Sequence, residues 1–262
     1  ASAAKKASRI AAEGLVAVAV DGNKGAVVEV NSETDFVAKN DMFQEYVADA
    51  ALVALMHNGE VCDMKTFQCP KVHKSFEERL TDLIAKIGEN MNLRRAAMLE
   101  VSNGVIASYV HNACKPNLGK IGVLVALESN GDKAKLQELG KHIAMHVAAS
   151  NPQFLTIADV DQASIDHEKA IFSEQAKASG KPENIIEKMV EGRIKKYFDE
   201  VVLEEQAYIM DPDKKVKQIV ADAAKEMGAD IKLKAFVCFR LGEGLEKRNE
   251  DFAAEVASQL KK

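Results

Sequence analysis

Apolar residues along this chain recur at two spacings, and the switch between them divides it into strands and helices. Residues 13–21 and 25–31 are rich in Val and Ala and are separated by Asp21-Gly22-Asn23-Lys24-Gly25. Short β-prone runs joined by Gly, Asn and Asp predict a hairpin, because those residues tolerate the backbone angles of a tight turn. A helix over residues 37–57 is expected next, with Asn40, Phe43 and Val47 at helical spacing and Asn58-Gly59 as its terminator. Residues 60–73, with Pro70 among them, read as irregular. Ser75-Phe76-Glu77-Glu78 is a capping box ahead of an apolar stripe of Phe76, Leu80, Leu83, Ile84 and Ile87 that stops at Gly88. Residues 93–101 read as a strand leading into the turn Ser102-Asn103-Gly104, although Arg94, Arg95, Ala96 and Ala97 would also suit a helix.

The order then repeats. Gly104-Val105-Ile106-Ala107 echoes Gly14-Leu15-Val16-Ala17, and Gly122-Val123-Leu124-Val125 echoes Gly25-Ala26-Val27-Val28. A helix over residues 132–150 carries Leu136, Leu139, Ile143 and Val147 on its apolar face and stops at Asn151-Pro152. Residues 165–178 and 182–198 are charged, helix-prone arms around Ser179-Gly180-Lys181. They predict a helical hairpin, which has no core of its own and reads as an insertion. Residues 213–227 give another helix with Gly228 behind it. Residues 231–241 give a strand with Ile231, Leu233, Ala235, Val237 and Phe239 on one side, and residues 249–260 a closing helix. The expected fold class is α+β: two related halves, each a small antiparallel sheet packed by helices, plus the inserted helical hairpin. The halves would be residues 13–103, and residues 104–162 with 199–246; residues 1–12 form a basic helical lead-in, 163–198 the hairpin and 247–262 the C-terminal helix.

With 262 residues, 47% of them hydrophobic, the chain can bury a sizeable core and is not a disordered polymer. No apolar run is long enough to span a bilayer, and no signal-peptide core opens the sequence. A net charge of −5 with scattered Lys and Arg argues against nucleic acid as the main partner, which would draw on clustered cations. Cys62, Cys69, Cys114 and Cys238 make no disulfide framework in a chain this long and suit a reducing compartment. His57, Cys62, Cys69 and His73 have the residue types of a zinc site, but the wide gap between the thiols does not hold tetrahedral angles in one tight turn. Packing is their expected role, and no metal is expected. His142 and His146 lie one turn apart, but the segment between them lacks the glutamate that a zinc hydrolase uses as base. At the edge of an apolar face, a half-buried histidine would serve packing or a partner contact. No dinucleotide fingerprint or phosphate loop is present, so no nucleotide or other cofactor is expected on the chain itself.

The stretch on which the reading turns is residues 31–40, Asn-Ser-Glu-Thr-Asp-Phe-Val-Ala-Lys-Asn. Ser32 and Asp35 match the hydroxyl cap and returning acid of a helix start, where the helix dipole favours a negative charge. At a strand-to-helix junction these side chains would stand at a sheet edge, presented to a partner. Equally, Phe36 would be the first core residue of the helix and Asp35 only its cap. The pattern leaves both readings open.

Thr34-Asp35-Phe36-Val37-Ala38-Lys39-Asn40 resembles the signature of the elongation factor Ts family, guanine-nucleotide exchange factors for the translational GTPase elongation factor Tu. Further stretches resemble that family in the same order. They include Gly88-Glu89-Asn90 with Leu93-Arg94-Arg95, Ile121-Gly122-Val123-Leu124-Val125, His142-Ile143-Ala144-Met145-His146, Ser179-Gly180-Lys181-Pro182 and Asp251-Phe252-Ala253. The resemblance implies that Thr34, Asp35 and Phe36 form an exchange wedge, with Phe36 entering near the GTPase's nucleotide and magnesium site. It implies partner contacts at Val37, Lys39, Asn40, His142, His146 and Phe252, and makes the hairpin a coiled-coil module through which two copies would pair. It further implies no covalent chemistry and a bacterial cytoplasmic setting, with an organelle matrix as the alternative. The small helical domain that usually opens the family is expected to be missing, since the sequence starts just after it. The alternative is a docking or holding partner of the GTPase that does not promote exchange.

Overall fold

The computed structural model describes residues 2–70 and 72–246. After a short helix α1 (Ser2–Lys6), strands β1 (Glu13–Asp21) and β2 (Lys24–Ser32) form the expected hairpin. Its register runs from Glu13 opposite Ser32 to Asp21 opposite Lys24, around Gly22 and Asn23. Helix α2 (Asp41–Met56) follows, then α3 (Val61–Thr66), a small ribbon of β3 (Gln68–Cys69) and β4 (Lys74–Ser75), helix α4 (Phe76–Ile87) and strand β5 (Met91–Glu100). Strand β5 pairs antiparallel with β2. The second half repeats this order with β6 (Gly104–His111), β7 (Leu118–Gly119), β8 (Ile121–Ser129) and α5 (Lys133–Ser150). The helical hairpin α6 (Gln162–Lys177) and α7 (Glu183–Val201) comes next. The ribbon β9 (Ala207–Tyr208) and β10 (Asp211–Lys215), helix α8 (Val216–Met227) and strand β11 (Ile231–Arg240) complete it.

The fold is therefore α+β with two related halves and an inserted hairpin. Sheet order is β5-β2-β1-β7 in the first half and β11-β8-β6 in the second. The likeness extends to detail: α4 and α8 each have 12 residues and end on a left-handed glycine, Gly88 and Gly228. Lys74 pairs with Asp82 as Lys214 pairs with Asp222. The hairpin arms and strand 93–101 lie within a few residues of the expected bounds, only residues 2–6 of the expected lead-in are helical, and α4 has the capping box of Ser75 and Glu78.

Four expectations need correction. The helix after β2 begins at Asp41 rather than residue 37, because Asn40 is extended and its Oδ1 accepts the N–H groups of Met42 and Phe43. Those are donors a helix start leaves without partners, so Asn40 is the cap. Ser32 stays in β2, its hydroxyl donating to the Thr34 carbonyl. Residues 60–73 are less irregular than expected, holding α3 and part of the β3–β4 ribbon. Residues 213–215 belong to β10, and α8 starts at Val216. Finally, the one-sided alternation expected for β11 is broken by a bulge. Leu233 faces Leu127 and Ala235 faces Ala126, so Lys234 is an extra residue. An extra residue exchanges the two faces beyond it. Ile231 and Leu233 thus pack under α5 and α8, whereas Ala235, Val237 and Phe239 join the layer between the sheets.

Three apolar layers follow. Helices α2 and α4 cover one face of the first sheet through Phe43, Val47, Phe76 and Leu80; α5 and α8 cover one face of the second through Leu136, Ile143, Val216 and Val220. The remaining faces pack on each other through Val16, Val18, Val27, Ile106, Leu124 and Ala126. A Cβ on Gly25 would lie 2.5 Å from Ile106 Cγ2, and one on Gly122 would lie 2.6 Å from Val16 Cγ1. The residues that echo each other in sequence thus make reciprocal contacts across the interface. Glu29, wholly buried, ties the sheets at one end. It accepts from Arg94 Nη1 at 2.9 Å, Arg95 Nε at 2.6 Å, Asn31 Nδ2 at 3.1 Å and the Gly242 N–H at 2.7 Å. A bulge at Arg94 lets two successive arginines reach one carboxylate.

At the base of the hairpin, His146 Nε2 donates to Gln206 Oε1 at 2.8 Å, and its Nδ1 accepts from the Ile209 N–H at 3.2 Å. That acceptor role fixes the tautomer. Gln206 in turn donates to the carbonyls of Ser150 and Glu200, joining the ends of α5 and α7. Burial pushes the His146 pKa below its ordinary 6.5, only partly offset by the Gln206 bond.

Two predictions follow from this packing. Gly122→Ala overpacks the inter-sheet layer and should cost about 2 kcal/mol in urea unfolding, whereas Gly180→Ala, with open space around it at the hairpin turn, should cost only about 1 kcal/mol for its left-handed backbone. For His146, the unfolded chain takes up a proton below 6.5 that the folded chain refuses. Its contribution is therefore full above 6.5 and lost as pH falls toward the depressed folded value. Urea titrations from about pH 7.5 to about pH 5 should show His146→Gln lacking that part of the acid slope.

Candidate functional site

Beyond the last pair of the sheet, Ser32 with Met91, the two segments go on holding each other through side chains. The Asn90 N–H donates to Glu33 Oε1 at 2.6 Å. In return the Thr34 N–H donates to Glu89 Oε2 at 3.0 Å and its hydroxyl to Glu89 Oε1 at 2.7 Å. The chain then makes a single 3-10 turn over Val37–Lys39. The N–H groups of Ala38, Lys39 and Asn40 return to the carbonyls of Asp35, Phe36 and Val37 at 3.2, 3.1 and 2.9 Å. Val37 is sunk in the core under α2, and Gln44 Nε2 donates to the Ala38 carbonyl at 2.7 Å.

With Val37 turned inward, its neighbour Phe36 turns outward and is 73% exposed, more than any other large apolar side chain among the described residues. The core reading of Phe36 is thereby excluded. Asp35 beside it is exposed and forms no ion pair among the described residues; the helix it was expected to cap starts six positions later, at Asp41. Lys39 Nζ lies 5.8 Å from the Phe36 ring centroid. The turn thus carries an aromatic ring and a carboxylate side by side on a tied-down backbone. Such a group can enter an apolar crevice: full burial of a Phe side chain is worth roughly 1.5–3 kcal/mol, and little ordering remains to be done.

The other expected contact residues fall differently. Lys39 is exposed and Asn40 half-buried as the α2 cap, so both border the turn. Val37 is buried and anchors the turn instead of offering a surface. His142 is half-buried on α5, in the helix layer of the other half, and is not brought beside Phe36. His146 was expected half-buried but has no exposed surface, since both ring nitrogens serve internal bonds. Phe252 lies outside the described residues. Sequence reasoning gave no role to Glu89, Asn90 or Gln44. The signal for the first two was the β2–β5 register, which carries Glu33-Thr34 alongside Asn90-Glu89.

Several titratable groups elsewhere in this half are engaged in pairs or packing. A groove of about 430 Å³ between α2 and α4 is lined by Met42, Tyr46, Lys74, Arg79 and Lys86. Lys74 is paired with Asp82 and Arg79 with Asp49, and burial pushes the Tyr46 phenol far above its usual pKa. His57 packs edge-on against Phe67, Cys69 accepts from Arg79 and Cys62 is exposed. Among the described residues no group of three or more His, Cys, Asp or Glu could hold a metal ion, and no helix is long and apolar enough to cross a membrane.

Comparison with known proteins covers most of the chain. A family model described as elongation factor TS matches residues 33–243. The elongation factor Ts of Paramagnetospirillum magneticum is 57% identical over 259 residues, covering 99% of this chain and 83% of that protein. Those of Rhodospirillum rubrum and Rhodospirillum centenum are 56% and 54% identical, covering 100% and 98% of this chain and 85% and 84% of their own lengths. A family model over residues 33–243 and relatives more than half identical over nearly the whole chain give one conclusion: this protein belongs to the elongation factor Ts family, and is a translation elongation factor.

Proposed function

We propose that the chain binds elongation factor Tu and promotes release of its GDP, with Asp35 and Phe36 inserted beside the nucleotide and magnesium site. The observation that carries this reading is the exposure of Phe36 on a turn anchored on both sides, by Glu89 on Thr34 and by Gln44 on Ala38. An aromatic ring held in water by its own scaffold offers apolar area that a partner gains by covering. Lys39 and Asn40 border the same turn and extend the contact, and His142 on the other half supplies a second, separate point of attachment.

Exchange by such a wedge is linkage and involves no covalent step. A factor that binds the empty GTPase better than the GDP form weakens GDP by the same factor. Magnesium screens the phosphates, so shifting its ligands removes much of the hold on the nucleotide. Asp35 brings a negative charge near that metal and Phe36 the apolar area that drives insertion. The factor acts as an exchange factor and the GTPase supplies the nucleotide site.

Release of a fluorescent GDP analogue from elongation factor Tu, with magnesium present, tests this. The parent chain should accelerate release strongly. Phe36→Ala should lose at least about tenfold of that acceleration, equivalent to about 1.4 kcal/mol. Because the ring is exposed, the same substitution should change unfolding stability by no more than about 0.5 kcal/mol. Equal acceleration by both chains would refute the wedge. An early-melting variant with full activity per folded molecule would make Phe36 a stabilising residue of the turn and not a wedge.

A further inference from the structure

Glu89 stands just past the left-handed Gly88 that ends α4, and both of its carboxylate oxygens are taken by one residue, Thr34. Thr34 directly precedes Asp35 and Phe36. We propose that Glu89 is a positioning residue for nucleotide exchange, fixing the near side of the turn so that Phe36 is already aimed before it meets a partner. This rests on the wedge reading above and goes beyond it by assigning a residue that acts through Thr34.

The two carboxylates of this clasp have separable roles. Glu33, with its side chain 7% exposed, accepts the Asn90 N–H, while Asn90 Nδ2 donates to the Arg9 carbonyl at 2.8 Å. Those bonds, with the Ser32–Met91 pair, already hold the two segments together. Glu89 adds nothing to the apolar core and is only half-buried. What it adds is a two-point grip on the backbone and side chain of Thr34. On the far side, Val37 in the core and Gln44 on the Ala38 carbonyl fix the turn. Asp35 and Phe36 are the residues between these fixed points. Removing the near point frees the backbone ahead of the wedge, and the lost order must be regained during insertion.

The chemistry of the grip supplies its own control. Glu89→Ala abolishes both bonds. Glu89→Gln can restore both, its amide oxygen accepting the Thr34 N–H and its amide N–H donating to Thr34 Oγ1, since a hydroxyl both donates and accepts.

The experiment uses the full chain with elongation factor Tu carrying a fluorescent GDP analogue, and compares the parent, Glu89→Ala, Glu89→Gln, Phe36→Ala and Phe36→Ala with Glu89→Ala. Glu89→Ala should lower the maximal release rate at saturating factor by roughly tenfold, the order expected for freeing one residue's backbone. Its half-saturating concentration should change less than about twofold, because the remaining contact surface is intact. Glu89→Gln should recover most of the rate, and Glu89→Ala should cost nothing further once Phe36 is already Ala. Amide hydrogen exchange of the free chain should show faster exchange at Thr34 in Glu89→Ala, with protection in the β-sheets unchanged. The proposal is overturned if Glu89→Ala matches the parent, if Glu89→Gln is as impaired as Glu89→Ala, or if the losses add in the double variant. If Phe36→Ala is impaired while Glu89→Ala is not, the wedge stands and the role of Glu89 falls. If Phe36→Ala matches the parent, the wedge itself falls.

Discussion

The two sheets can lie back to back only because each presents a glycine where the other presents a branched side chain. Ile106 reaches into the space above Gly25, and Val16 into the space above Gly122. Interiors are close-packed, so a single added methyl at either point would push the sheets apart along the whole layer. The Glu29 cluster pins the same interface with charge. Removing one partner from a buried ionic cluster typically costs 3–5 kcal/mol, because the groups left behind are uncompensated. Both arginines come from the strand beside Glu29, while Gly242 follows β11 of the other half. The cluster therefore links the halves as well as stabilising one of them.

That interface keeps two similar units in fixed relation, and what distinguishes them lies outside it. Residues 33–40 join β2 to α2, whereas only residues 130–132 join β8 to α5. The first half has gained a longer turn, and that turn carries Phe36. Between its central helix and its small ribbon the first half has only α3, whereas the second has the α6–α7 hairpin. Each copy thus carries one addition, on a shared scaffold that can stay rigid while either is used. The supports differ in kind. The turn is held by carboxylates and an amide, and the base of the hairpin by a neutral histidine and a glutamine in the interior.

Much of this was legible in the chain. Local signals dominate where a segment's structure is set by its own residues: the β1–β2 turn, the capping box before α4, the glycines after α4 and α8, and the repeat of Gly14-Leu15-Val16-Ala17 at Gly104. The misreadings came where a local signal met a competitor. Ser32 and Asp35 look like a helix start, but Ser32 was claimed by the sheet and Asn40 supplied a better cap. The alternation over residues 231–239 is regular in sequence, yet the bulge at Lys234 divides it between two layers.

The candidate site shows the same division. The sequence by itself determined the strand-to-helix junction, the aromatic beside an acid and the family resemblance, because these depend on residue identity and near neighbours. It left open whether Phe36 faces the core or the solvent. Only the tertiary structure decided that, through contacts distant along the chain: Glu89 on Thr34, Gln44 on Ala38, and Val37 occupying the core position in place of Phe36. Likewise the spacing of His146 put it half-buried at the edge of an apolar face, and only the packing of Gln206 and Ile209 against it shows that it is wholly interior. Spacing along a helix fixes which residues share a face, but what covers that face is set by segments far away in the chain.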